Sequence, residues 1–111
     1  KTPQTQSKIN EAYSELAKAQ SAVNVEVGSS FDLARKTIPT MNLFHPDGSH
    51  PSAVGTFLIA LSFIKKITGT LPKKYATVYN YFDKDGETFR IMQLTDAEIQ
   101  SCVSTVNSVI Q

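Results

Sequence analysis

An apolar segment from residue 53 to residue 67 constrains this fold more than any other feature, because ten of its fifteen residues are apolar. Pro51 and Gly69 bracket the segment as start and stop signals, so the pattern predicts a helix with Pro51 in its first turn. The apolar positions cover well over half of a helical wheel, wider than the stripe of an ordinary surface helix. They are Phe57, Leu58, Ile59, Ala60, Leu61, Phe63, Ile64 and Ile67. This helix needs neighbours on several sides.

The composition of the chain argues against several classes of protein. The chain has 111 residues, 41% of them hydrophobic, and a formal charge of +1, which indicates one globular unit without electrostatic attraction to nucleic acid. A single cysteine, Cys102, excludes an internal disulfide framework. Polar and charged residues such as Lys65 and Lys66 interrupt the apolar segment too soon for a membrane span.

The first half of the chain follows the pattern of an α/β unit. Apolar residues at helical spacing predict an amphipathic helix over residues 6 to 22. The run "VNVEV", residues 23 to 27, is rich in β-branched residues and ends at Gly28, so it predicts a strand. A short helix is expected over residues 30 to 37, and Ser29 and Ser30 are interpreted as its caps.

The second half predicts a hairpin and a final helix. The segments "TVYNYF" and "ETFRIMQL" flank the turn signal "DKDG", which is typical of a β-hairpin. Thr95 and Glu98 have the spacing of a capping box, and an apolar stripe at helical spacing follows them.

The stretch "HPDGSHPSAVG" carries both histidines of the chain. Asp47 lies three residues before His50 across an Asp-Gly turn, so its carboxylate can orient the imidazole as a general base. Two other interpretations stay open. In the first, Asp47 and Gly48 only form a turn, and His50 caps the helix that begins at Pro51. His45, Asp47 and His50 can be metal ligands, although neither a partner cysteine nor a paired-histidine helix spacing accompanies them, so no metal is predicted.

The longer segment "LFHPDGSHPSAVGTFLIALSFIKKITGTLP" resembles the last conserved block of the SGNH, or GDSL-type, esterases and lipases. In that family a D-x-x-H pair, then Pro and a Gly at the start of an apolar helix, supplies the catalytic Asp and His. Here these positions are Asp47, His50, Pro51 and Gly55. The resemblance implies a three-layer α/β/α sandwich, in which "VNVEV" is the last parallel strand, and a secreted or envelope-associated protein.

The family's Gly-Asp-Ser nucleophile block is missing from these residues, as are the oxyanion-hole Gly and Asn. Ser49 is interpreted as turn chemistry. The resemblance therefore implies that residues 1–111 are the C-terminal portion of one hydrolase domain, with the nucleophile on a preceding portion and the isolated chain inactive.

The implied activity is hydrolysis of an acyl or carbohydrate-acetyl ester without a cofactor. Asp47 and His50 are its catalytic residues, and His45 is a possible substrate contact. The alternative hypothesis is a non-catalytic interaction module or a degenerate hydrolase fragment that has kept only the loop.

Overall fold

The computed structural model describes residues 3–111 as four helices and one two-stranded antiparallel sheet. In chain order the elements are α1 (Pro3–Gln20), α2 (Val27–Thr37), α3 (Ala53–Thr68), β1 (Val78–Phe82), β2 (Thr88–Gln93) and α4 (Asp96–Val109). The expected three-layer α/β/α sandwich is wrong, because the only sheet among these residues is the β1–β2 hairpin and it has no parallel strand.

The expected last strand at "VNVEV" is the main error. Residues 22 to 26 have no regular secondary structure, and Val27 already begins α2. A strand needs a neighbour to pair with its backbone, and no backbone segment within residues 3–111 forms a ladder with this run. β-Branched composition alone therefore did not produce a strand.

The predicted hairpin is confirmed. Tyr81 pairs with Phe89 in antiparallel register, and the register shifts between Tyr79 and Asn80. At the turn, Asp83 Oδ1 accepts backbone N–H groups from Asp85 and Glu87, each at 2.9 Å. The carboxylate thus replaces backbone acceptors in the turn, which explains why an aspartate opens it.

The core lies where α2, α3 and α4 meet. Leu58 and Leu61 of α3 and Cys102 and Val106 of α4 are fully or almost fully buried. In the same region Ser62 Oγ donates to the Leu58 carbonyl at 2.8 Å, so its burial leaves no unpaired hydroxyl.

The wide apolar surface of α3 is only partly covered. Phe63 and Ile67 remain 45% and 71% exposed, and Ile64 is also exposed. The helix therefore buries one face against α2 and α4 and presents another apolar face at the surface.

Side-chain caps begin α3 and α4, and a glycine ends α3. Ser52 is the N-cap of α3 and its Oγ accepts the Gly55 N–H at 3.1 Å. Gly69 ends α3 in the left-handed region at φ 84°, as predicted. The capping box of Thr95 and Glu98 is present at the start of α4.

Pro51 lies immediately before the Ser52 cap, so its predicted place inside the first turn of α3 is wrong.

Within residues 3–111 no helix combines the length and apolar character needed to cross a membrane.

Candidate functional site

The loop that carries both histidines is closed at its base by backbone pairing. Phe44 and Pro51 form an isolated antiparallel bridge. Just inside it, the His45 N–H donates to the His50 carbonyl at 2.7 Å. The intervening residues therefore form a small closed loop that joins the core directly to the start of α3.

A close approach of backbone fixes this loop against α3. A Cβ atom added at Gly55 would lie closer than 3.0 Å to the Leu43 carbonyl oxygen and at 3.2 Å from Pro51 Cβ. That carbonyl also accepts the Ser52 N–H at 2.9 Å. Glycine at position 55 is thus required by contact with the strand-like backbone that enters the loop.

Asp47 and His50 are in direct contact, as the spacing predicted. Asp47 Oδ2 lies 2.7 Å from Nδ1 of His50, a short hydrogen bond between a carboxylate and an imidazole. The His50 side chain is 77% exposed, and no group within residues 3–111 hydrogen-bonds its Nε2. The pair therefore presents Nε2 outward while the carboxylate selects the tautomer protonated at Nδ1.

The other oxygen of Asp47 is held by the turn. Asp47 Oδ1 accepts the backbone N–H groups of Ser49 at 3.0 Å and His50 at 3.1 Å, and Gly48 takes a φ of 75° between them. The pKa of Asp47 lies below its ordinary value of 3.8. The main cause is the hydrogen bond with the His50 side chain, and the two backbone N–H groups lower the pKa further. The carboxylate is consequently ionised and oriented at neutral pH.

His45 lies on the other side of Asp47. Its Nδ1 accepts the Asp47 backbone N–H at 3.3 Å and lies 3.6 Å from Asp47 Oδ2. The structure shows the His45 ring bonded to the loop itself and 61% exposed, and a substrate contact of His45 stays a prediction.

The serines of this region do not supply a nucleophile to His50. Ser49 Oγ lies 3.4 Å from Nδ1, the ring nitrogen already bonded to Asp47, and not at Nε2. Ser29 and Ser30 lie inside α2, so their expected role as caps is wrong. Ser29 Oγ accepts a hydrogen bond from Asn10, and Ser30 is buried.

A cleft of about 800 Å³ adjoins the loop. Gly48 and Pro51 form its rim on the loop side, and apolar side chains line much of the rest. Those side chains are Ile9, Tyr13, Val25, Val27, Phe31, Phe44 and Ile59. Polar and charged side chains, among them Glu26, Asp32 and Arg35, also line it, whereas Asp47 and His50 do not. A cleft of this volume is in the range typical of small-molecule sites.

The metal interpretation gains no support. No group of three or more His, Cys, Asp or Glu side chains within residues 3–111 is arranged to hold a metal ion. His45 and His50 instead both turn Nδ1 toward the same carboxylate.

Sequence reasoning missed two positions that shape the site. Gly55 was noted only through the family resemblance, and its contact with the Leu43 carbonyl is visible only in three dimensions. The capping role of Ser52 was not predicted, although serine directly before a helix is a common cap signal. Compared with protein-family models, curated proteins and solved structures, the chain has no match.

Proposed function

We propose that this chain contributes the acid–base pair of a serine-dependent ester hydrolase, with His50 as the general base and Asp47 as the residue that orients it. The observation that carries the proposal is the 2.7 Å contact between Asp47 Oδ2 and His50 Nδ1, with Nε2 left accessible. A carboxylate on one ring nitrogen and an open position at the other is the arrangement that activates a hydroxyl nucleophile. The resemblance to SGNH hydrolases at Asp47, His50, Pro51 and Gly55 agrees with this role.

In the proposed reaction, a serine hydroxyl from sequence outside these residues transfers its proton to Nε2 of His50. The serine oxygen bonds to the ester carbonyl carbon, and the proton then passes to the leaving alkoxide as the ester C–O bond breaks. Water attacks the acyl-enzyme next, losing its proton to Nε2, and the serine recovers its proton as the acid departs. Asp47 stabilises the imidazolium throughout.

The adjoining cleft supports an ester with an apolar acyl group over a small acetyl ester. The cleft meets the loop at Gly48 and Pro51, and an acyl chain that extended from the loop onto its apolar side chains would remove several methylene groups from water. Each buried methylene contributes about 0.8 kcal/mol. Among linear p-nitrophenyl esters we therefore expect kcat/KM to rise from acetate to longer acyl chains.

The test uses the protein with additional N-terminal sequence that supplies a nucleophile, assayed on p-nitrophenyl esters. His50→Ala should lower kcat by several orders of magnitude and Asp47→Asn by about ten-thousandfold. Ser49→Ala is the matched control, because it removes a neighbouring hydroxyl but leaves the Asp47–His50 contact intact. A His50→Ala enzyme within about tenfold of the parent, a loss of only about 1.4 kcal/mol, would exclude His50 as the base.

The isolated chain provides the second arm. It should hydrolyse p-nitrophenyl acetate no faster than free imidazole and take up no serine-directed fluorophosphonate. Stoichiometric labelling of a serine in this chain would overturn the external nucleophile. If the N-terminally extended protein is also inactive, the non-catalytic interaction module becomes the better hypothesis.

A further inference from the structure

The four consecutive backbone N–H groups from Asp47 to His50 have their acceptors on only two residues. Asp47 Oδ1 accepts those of Ser49 and His50. His45 accepts the other two: its carbonyl takes the Gly48 N–H at 2.9 Å, and its ring Nδ1 takes the Asp47 N–H at 3.3 Å. His45 also donates its own N–H to the His50 carbonyl. The conformation of the loop thus depends on His45 as much as on Asp47.

We propose that His45 is a positioning residue for the Asp47–His50 pair, acting through the bond from its ring to the Asp47 backbone. A role for His45 in catalysis rests on the proposed function, but the hydrogen bonds through which His45 holds Asp47 do not depend on activity. The position of the Asp47 backbone determines the position of its carboxylate. That carboxylate must contact both the Ser49 N–H and His50 Nδ1. Holding the Asp47 N–H therefore holds Oδ2 at its 2.7 Å contact.

The chemistry selects one form of the His45 ring. To accept the Asp47 N–H, Nδ1 must carry a lone pair, so the neutral ring has its proton on Nε2. His50 has the opposite arrangement, with Nδ1 facing the carboxylate as donor. In the tautomer that accepts the Asp47 N–H, His45 therefore differs from His50, whose Nδ1 is the donor to Asp47.

Three substitutions separate the ring acceptor from the bulk of the side chain. His45→Ala removes the acceptor. His45→Asn restores an oxygen close to the position of Nδ1, whereas His45→Gln carries its oxygen one bond further from the backbone. The backbone bonds of residue 45 to Gly48 and His50 remain in all three variants, so the loop keeps its closure.

The primary measurement is long-range proton–nitrogen NMR on the labelled 111-residue chain, which reports the tautomer and the Nδ1 proton of His50. One exposed hydrogen bond contributes about 1 kcal/mol, equivalent to about a fivefold change. We therefore expect exchange of the His50 Nδ1 proton to become about fivefold faster in His45→Ala and His45→Gln. In His45→Asn it should stay within about twofold of the parent.

Equal exchange rates in the parent and His45→Ala would overturn the proposal, as would equal behaviour of the Asn and Gln variants. An unchanged backbone spectrum outside the loop shows that each variant is folded. In the N-terminally extended enzyme the same order should appear in kcat, with KM unchanged. If exchange follows this order but His50→Ala keeps full esterase activity, the proposed function fails while the positioning role stands.

Discussion

Replacing Gly55 with alanine tests whether close backbone contact holds the Asp47–His50 loop on α3. The new methyl group would meet the Leu43 carbonyl, which is backbone and cannot rotate away. Overpacking of this kind costs about 2 kcal/mol. Displacing the carbonyl also weakens its hydrogen bond from Ser52, which costs about 1 kcal/mol more.

Alanine recovers about 1 kcal/mol of helix propensity, so the net loss for Gly55→Ala is about 2 kcal/mol. With about 2.1 cal/mol/K of unfolding entropy per residue, a chain of 111 residues should melt about 9 °C lower. Thermal and urea unfolding followed by circular dichroism give both numbers. The His50 Nδ1 proton signal should weaken in the same variant because the base of the loop has shifted.

Gly28→Ala is the matched control, since Gly28 also lies in the first turn of a helix. Its added Cβ would meet the side-chain amide of Gln6, which can rotate away. The loss of the Gln6–Asn10 hydrogen bond costs about 1 kcal/mol. The gain in helix propensity offsets it, so stability should hardly change. Equal melting temperatures for the two alanine variants would refute the reasoning about Gly55.

Three further results are expected from local features of the structure. Because the pKa of Asp47 in the folded chain lies below 3.8, its contribution to stability is present above that value and is lost as pH falls through the lower folded pKa. Urea unfolding across this pH range should show the loss, and Asp47→Asn should remove this component of the acid dependence. Thr95→Ala should cost about 1 kcal/mol by removing the capping box, and Thr95→Ser should restore most of it in the same unfolding assay. The exposed apolar face of α3 should bind a hydrophobic dye and promote self-association, and Phe63→Ser with Ile67→Lys should reduce both in fluorescence and light-scattering measurements; unchanged dye binding would contradict this assignment.

Local signals predicted the elements that depend on neighbouring residues. The Thr95 capping box and the Gly69 stop each require only one turn of backbone, and both are present. The "DKDG" turn predicted a hairpin because its strands are adjacent in sequence. The strand at "VNVEV" failed because pairing is a property of two segments, and its sequence contains no information about a partner.

In the candidate site, too, the sequence predicted the contact between nearby residues but not the contacts that depend on the folded loop. The three-residue spacing of Asp47 and His50 predicted their contact, since a turn brings such side chains together. The bonding of His45 to the Asp47 backbone depends on the closure of the loop at Phe44 and Pro51, which no spacing rule describes. The family resemblance pointed to the same Asp47 and His50 as the spacing did, but the α/β/α architecture that it implied is wrong.

The hydrogen bonds that shape the Asp47–His50 pair all lie between Asn42, whose carbonyl accepts the Ser52 hydroxyl, and Gly55. Contacts so close in sequence have low contact order, and a loop of about ten residues closes in about 10–100 ns. The loop and the first turn of α3 can therefore form early in folding, before the hairpin docks or α1 packs. Since none of these hydrogen bonds needs a residue from outside the segment, the bonds of the pair can form before the rest of the fold is in place.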